Sequence, residues 1–431
     1  MPFDIPKPED YDVSLKHGFL PQRTPHASSL DSRYAPWVDI VNSLPQLLAY
    51  GRLRSLVDRL PVLECDRLTT TPQLRCAYSI LAFISHAYIW GGESPAESHK
   101  IVPPPISIPF LAVCKALEML PVATYAAVVL WNFDTILSTD RRTSLCGLKT
   151  LTTFTGAIDE SWFYLVSVAI EAQGGPLIST ILEATRCAHE QKTAFVIIHL
   201  RQLASGLTEL GGTLKRLHER CDPAFFYDKL RPYLAGGKNM ATSGLPHGVM
   251  FDDGTEDAEY VQLAGGSNAQ SSLFQLFDIA LGIAHRATSG TVEETSAANP
   301  LNTKSEGTLA DRLRAKQAEP DYITDMRQYM PEGHRRFLRD FSRVAIVREF
   351  VASKPHHHTL MTAYNAAVAA LVAFRDVHLQ IVGRYIVLRS QRQKAAPQHA
   401  EGVAKDLNGT GGTTLMPFLR QVRDETALCA A

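Results

Sequence analysis

Apolar residues recur at helical spacing along most of the chain. Trp37, Ile40, Val41, Leu44 and Leu47 fall on one helical face. Leu74–Trp90 predicts a second helix, and Pro72 suits its first turn because no helical partner is needed there for an N–H. Phe110–Phe133 reads as helical with a break near Leu120-Pro121. Ser161–Ala172 opens another helical run, and Thr180–Cys221 predicts one long amphipathic stretch. Phe225–Leu234, Ser271–His285, Asp321–Ser342, Val344–Val351 and a helix from Tyr364 to near Arg389 follow. Thr413–Thr426 predicts a short final helix. The expected fold class is mostly α, in two domains. Residues 1–150 form a small N-terminal helical domain with an extended arm, and residues 151–431 form a large helical domain.

The interruptions are as informative as the helices. Pro6, Pro8, Pro21 and Pro25 discourage regular helix over residues 1–36. The run Pro103-Pro104-Pro105-Ile106-Ser107-Ile108-Pro109 reads as a rigid connector. Leu245–Glu256 reads as a loop with room for a short strand. Residues 287–322 carry few large apolar side chains and predict a solvated insertion. A charged linker, residues 390–408, leads to the glycine cluster near residue 410, so residues 390–412 read either as a mobile lid able to close over a bound substrate or as a flexible turn with no such role.

Composition narrows the class. The chain has 431 residues, of which 45% are hydrophobic and 20% charged, with a net charge of −1. That is an ordinary globular balance, without the basic footprint that nucleic acid would require. No window holds eighteen uninterrupted apolar residues, so no membrane span is expected. The polar, proline-rich start lacks the apolar core of a signal peptide, which points to the cytoplasm. Cys65, Cys76, Cys114, Cys146, Cys187, Cys221 and Cys429 show no paired spacing, so free thiols are expected.

One segment carries chemistry. The buried-type positions Tyr364, Ala367, Val368, Leu371, Arg375, His378 and Val382 form one helical stripe, and an arginine and a histidine interrupt it. A buried cation is costly unless an anion meets it. A haem would satisfy both residues, with iron for the imidazole and a propionate for the guanidinium. The plainer reading of His378 is a core histidine bonded to a neighbouring helix. Asp278, inside the apolar run Leu276-Phe277-Asp278-Ile279, also needs a partner. It would support Arg375 or His378 by hydrogen bonding, or join a helix–helix salt bridge elsewhere. His356-His357-His358 follows Lys354-Pro355 without a neighbouring carboxylate or thiol, and reads as a solvated loop rather than a metal site.

Three blocks occur in order: Gly265-Gly266-Ser267-Asn268-Ala269-Gln270-Ser271-Ser272, the Arg375-x-x-His378 segment, and Gly409-Thr410-Gly411-Gly412-Thr413. Together with Ser29-Leu30-Asp31, Tyr34-Ala35-Pro36-Trp37, Leu60-Pro61-Val62-Leu63 and Ser161-Trp162-Phe163-Tyr164-Leu165-Val166-Ser167, the chain resembles the indoleamine 2,3-dioxygenase family, in its fungal-type form. The likeness runs from about residue 20 to about residue 428.

The resemblance implies a two-domain helical haem dioxygenase fold holding non-covalent haem b. His378 would be the proximal iron ligand, with Arg375, Gly266, Ser267 and Asp278 around the cofactor. Phe163 and Ser167, four residues apart on one helix face, would lie on the distal side, where a serine leaves no distal general base. Tyr125 would pack against an aromatic substrate. Phe226, Tyr227 and Arg231 would complete the substrate site, with the arginine fork gripping a carboxylate. Ser267 and Thr410 would reach the substrate's polar groups. Ser167, Phe226 and Arg231 are the expected catalytic set.

The implied reaction converts L-tryptophan and O2 to N-formyl-L-kynurenine, on the kynurenine route towards NAD. A reductant would be needed only to restore ferrous iron. No nucleic-acid or membrane partner is expected, and the chain is expected to be a monomer. Three other readings stay open: a paralogue acting on another indoleamine, a haem protein that binds or senses O2 without turnover, and a helical interaction module without cofactor.

Overall fold

The structure is a computed structural model describing residues 4–92, 98–136, 142–286, 322–394, 410 and 415–431. All but the last residue of the expected 287–322 insertion, and residues 395–409, 411 and 412 of the expected lid, lie outside these.

Helices dominate. We label the principal ones α1 (Ala35–Asn42), α2 (Thr71–Trp90), α3 (Pro104–Leu117), α4 (Ile158–His189), α5 (Thr193–Lys215), α6 (Ser272–Ala280), α7 (Glu332–Ser342), α8 (His358–Val382) and α9 (Leu415–Ala427). Short strands β1 (Ile101–Val102), β4 (Val249–Phe251) and β5 (Tyr260–Val261) form one small sheet in the order β1-β4-β5. The first pair is parallel and the second antiparallel. Strands β2 (Phe133–Thr135) and β3 (Leu148–Thr150) pair antiparallel.

Local chemistry sets the helix ends. Thr70 accepts a hydrogen bond from the Gln73 backbone, and Gln73 reaches back to the Thr70 backbone, so a capping box starts α2. The proline run, expected as a connector, instead opens α3. Pro104 and Pro105 occupy the first turn, where the missing N–H has no helical partner to lose. The long stretch expected over Thr180–Cys221 is two helices. The chain reverses at Glu190-Gln191-Lys192, with Gln191 at φ 57°, and the periodicity continues on both sides of the turn. Helix α8 does not stop near Arg389. It passes through a π-helical turn, Gly383–Val387, and continues to Lys394. His356, His357 and His358 are exposed, and His357 caps the start of α8 by accepting from Leu360.

One apolar core runs from Val13 to Cys429 and joins the two parts of the chain. Helix α4 is long and apolar enough to cross a membrane by composition alone, as is the helix beginning at His358. In α4, 72% of the most apolar window is buried inside the protein, which accounts for its character. All seven cysteines are free thiols.

Two glycine loops bring the site together. A Cβ on Gly265 would sit 2.1 Å from the Leu234 carbonyl oxygen and 2.4 Å from the Gly236 nitrogen. A Cβ on Gly236 would meet the Leu263 carbonyl oxygen at 2.2 Å. The segments around residues 235 and 265 therefore pack backbone to backbone. Gln270 pins the second loop: its Nε2 donates to the Gly265 carbonyl at 2.8 Å, and its Oε1 accepts from the Tyr125 N–H at 2.8 Å.

Gly265→Ala is expected to lower the unfolding free energy by about 1–3 kcal/mol, the usual cost of overpacking against atoms that cannot rotate away. Gly212→Ala is the contrast: it lies exposed on α5 with nothing within 4 Å of its added methyl. It should stabilise by roughly 0.5–1 kcal/mol, because alanine loses less backbone entropy in a helix. Denaturant titrations of both variants check the pair of signs.

Candidate active site

The stripe on α8 faces a mostly apolar, partly open cavity with two adjoining lobes. Their free space, counted out to the open mouth, is about 860 Å³ and about 1190 Å³. Each is within the usual range for a bound small molecule or slightly above it. Tyr125, Ser167 and His378 border both lobes. Arg375 and Asp278 line the smaller one. Phe163, Phe226, Arg231, Gly266, Ser267 and Thr410 line the larger one. Residues from six separate parts of the chain thus meet at one cavity.

Among the described residues His378 has no hydrogen-bond partner for its imidazole. Burial and the neighbouring Arg375 charge push its pKa down to about 4, so the ring is neutral at physiological pH. A neutral imidazole with a bare nitrogen at a cavity wall is the donor an iron or similar metal centre needs. The core-histidine reading would have required a bonded ring, as His86 has: its Nδ1 meets the Tyr233 carbonyl at 2.7 Å and its Nε2 accepts from Ala123 at 2.9 Å.

Arg375 is met by a protein anion. Its Nη2 donates to both Asp278 oxygens, at 2.7 and 2.8 Å, and its Nη1 contacts the Thr426 hydroxyl on α9. His285 extends the network, with Nε2 3.1 Å from Asp278 and Nδ1 2.7 Å from Glu425. Burial raises the Asp278 carboxyl, but the Arg375 charge and the His285 contact outweigh it, leaving the pKa below the ordinary value. Burial lowers His285, but the two carboxylates outweigh it, leaving that pKa raised. Of the roles expected for Asp278, support of Arg375 is the one the geometry shows; the links to Thr426 and Glu425 on α9 were not foreseen, because those residues lie far away in sequence.

The larger lobe has an aromatic wall. The Phe163 and Phe226 rings stand 4.8 Å apart, and Phe226 meets Tyr385 edge-on at 5.8 Å. Phe226 lies in a π-helical turn, Phe226–Leu230, which places Arg231 just beyond it. Burial lowers the pKa of the Arg231 guanidinium, which stacks 5.4 Å over the Tyr227 ring. Tyr227 is not on the cavity wall: it lies under Arg231 and supports it, which adjacent numbering alone does not reveal. Ser267 lines the lobe while accepting the Ala269 N–H at 3.3 Å as a turn cap. Thr410 is tied to the glycine loop twice. Its hydroxyl donates to the Gly266 carbonyl at 2.8 Å, and its carbonyl accepts from Gly265 at 3.0 Å.

Glu171 was absent from the sequence reading. It is fully buried on α4, one turn beyond Ser167, and its Oε1 accepts from Tyr125 at 3.0 Å and Ser271 at 2.6 Å. The signal was present: Phe163, Ser167 and Glu171 are spaced four and four, so a carboxylate shares their face.

The helical scaffold thus presents a mostly apolar cavity with an unbonded neutral imidazole and a buried arginine on its wall. The family model for indoleamine 2,3-dioxygenase matches residues 7–429. Indoleamine 2,3-dioxygenase of Saccharomyces cerevisiae is 37% identical, covering 99% of this chain and 94% of its own. A 6-hydroxytryptophan 2,3-dioxygenase of Fusarium equiseti is 35% identical, over 97% and 96%. Human indoleamine 2,3-dioxygenase 2 is 30% identical, over 97% and 94%. The chain belongs to the indoleamine 2,3-dioxygenase family, and so to the oxidoreductases that incorporate O2.

Two outcomes test the buried network. Asp278→Ala leaves Arg375 as an unpaired cation and should cost about 3–5 kcal/mol of folding free energy, read by chemical denaturation. The His285 contribution is fully present below its unfolded pKa of about 6.5, and is lost as pH rises through the higher folded value. The stability difference between the native chain and His285→Gln should therefore be largest near pH 6 and shrink towards alkaline pH.

Proposed function

We propose that this chain is a haem b-dependent dioxygenase that opens the indole pyrrole ring of L-tryptophan between C2 and C3, giving N-formyl-L-kynurenine. The observation that carries the proposal is the bare, neutral His378 imidazole on a wall shared by both lobes. The family-level likeness supports it. His378 would hold the iron, and Arg375 and Gly266 would lie beside the macrocycle. When bound, haem supplies the one-electron chemistry that makes O2 reactive towards a closed-shell substrate.

The protein's own residues do the rest. Phe163 and Phe226 exclude water and present flat faces to an indole, holding its reacting bond in place. Arg231 offers a planar fork to the amino-acid carboxylate, and its stack on Tyr227 limits its motion. Ser267 and Thr410 add hydroxyls at the same lobe. Ser167 carries a neutral hydroxyl at physiological pH. Burial and the Glu171 charge push the Tyr125 phenol well above its ordinary pKa, so it too stays protonated. The walls thus orient the substrate without a strong proton acceptor on Tyr125 or Ser167.

An indole carrying a hydroxyl is the second reading, supported by the name of the Fusarium equiseti relative. Simple O2 carriage is less well supported, because Arg231 would then have no substrate to hold. The free thiols support a reducing, cytoplasmic setting, and we propose a monomer that draws on a cellular reductant only to restore ferrous iron.

Haem-reconstituted protein should show a Soret band and, once reduced, form formylkynurenine from L-tryptophan and O2. His378→Ala should lose the Soret band, and normal haem retention in that variant would overturn the ligand assignment. Arg231→Lys keeps the charge and loses the fork. It should raise the KM for L-tryptophan about tenfold or more, from the roughly 1.5–3 kcal/mol of a charged hydrogen bond. An unchanged KM would remove Arg231 from the site.

A further inference from the structure

Two buried glutamates sit on α4, and they differ in one respect. Glu160 is saturated: it accepts from the Phe154 and Thr155 backbones, the Thr155 hydroxyl and the Tyr164 phenol. Its role is structural, closing the start of the helix. Glu171 uses only Oε1, which takes both the Tyr125 and the Ser271 hydroxyls, while Oε2 is buried without a partner among the described residues. A carboxylate desolvated on one oxygen is expensive, and a proton on that oxygen removes the charge.

Among the described residues no cation is hydrogen-bonded to the Glu171 carboxylate. Tyr125 is the titratable group in hydrogen-bond contact, and its phenol stays protonated. The N-terminal arm passes one turn away, where Gly18 abuts the Glu171 carbonyl, and carries Lys16 and His17. From α6, Ser271 donates, and the next residue, Ser272, contacts His334, which burial pushes down to about 3 and so leaves neutral. Helix α5 meets this stretch through Thr213, which donates to Gln173. On the cavity wall Arg375 is neutralised by Asp278. Burial accordingly pushes Glu171 up to about 7, against the two hydroxyl donors that lower it.

Both donors, Tyr125 and Ser271, line the cavity with His378, so the carboxyl lies directly behind its wall. We infer that Glu171 is a redox-linked proton site and positioning residue of this cavity, holding a proton behind the wall when the haem is reduced and releasing it when the haem is oxidised. The inference rests on the haem reading above.

The balance is simple. One electron arrives from a one-electron reductant, and Glu171 takes one proton from water onto Oε2. Both leave on oxidation. An ionised Glu171 disfavours the added electron, because opposed charges in a low-dielectric interior are weakly screened. The midpoint potential should therefore fall as pH rises through neutrality. The proton-bearing hydroxyls keep their places in both states, so the wall stays ordered while its charge changes.

The test combines infrared spectroscopy with a spectroelectrochemical titration, using dithionite and mediators, from pH 5.5 to 8.5. The native protein should show a buried carboxylic C=O band that fades through neutrality, together with a pH-dependent midpoint potential. Glu171→Gln keeps the hydrogen-bond shape. It should lose the band and the slope and hold the higher potential at alkaline pH. Tyr125→Phe removes one donor to Glu171, so the band and the slope should both shift to higher pH. It also serves if Glu171→Gln does not fold. A Soret band with an unchanged slope in Glu171→Gln overturns the inference and leaves the haem reading standing. No Soret band in the native protein overturns the haem reading and the redox linkage with it. In that case the carboxyl band in haem-free protein still decides whether Glu171 holds a proton.

Discussion

The contact of Arg375 Nη2 with both Asp278 oxygens holds together the cavity wall that carries His378. It crosses from α8 to α6, and through Thr426, His285 and Glu425 it ties in α9. An arginine one turn before a neutral histidine would otherwise repel any cationic centre the histidine held. The buried carboxylate cancels that charge locally while keeping the guanidinium in place. Ion pairs in protein interiors seldom add net stability, but they fix geometry, since any misalignment exposes a desolvated charge. Here the geometry fixed is the orientation of α8, and hence of His378.

The two lobes differ in how they treat charge. Around Arg375 every charge is paired within the protein. Around Arg231 the guanidinium is buried against an aromatic ring, and its pKa is lowered by that burial. An anion entering the smaller lobe would compete with Asp278 for Arg375. Glu171 adds a third treatment: a buried carboxyl with one oxygen unpartnered among the described residues.

The helices and the site are coupled through glycine. The close approach of Gly236 and Gly265 lets the end of the Phe226–Leu234 segment lie against the loop that carries Gly266 and Ser267. Gln270 then bridges that loop to Tyr125. A set of wall residues from distant parts of the chain is thereby held by close backbone packing and by the Gln270 bridge, which limits how far the walls can relax around a bound molecule.

Much of this was written in local sequence. Long helices repeat their apolar positions every three or four residues, so α2 and α8 were legible, as was the stripe that sets His378 and Arg375 side by side. The Gly265–Ser272 block was specific enough to indicate the family, and the Arg375–His378 block and other segments, individually weak, were collinear with it. What sequence could not show was contact between residues far apart in the chain. The links from Arg375 and His285 to α9, the place of Tyr227 beneath Arg231 and the reversal at Gln191 each depended on where another segment lay. The proline run at residues 103–109 was misread because proline both breaks helices and begins them, and only the packing of α3 chose between the two. Glu171 was visible as a carboxylate on an apolar face. Its unmet oxygen became apparent only once Tyr125 and Ser271, separated from it by 46 and 100 residues, had both closed on the other one.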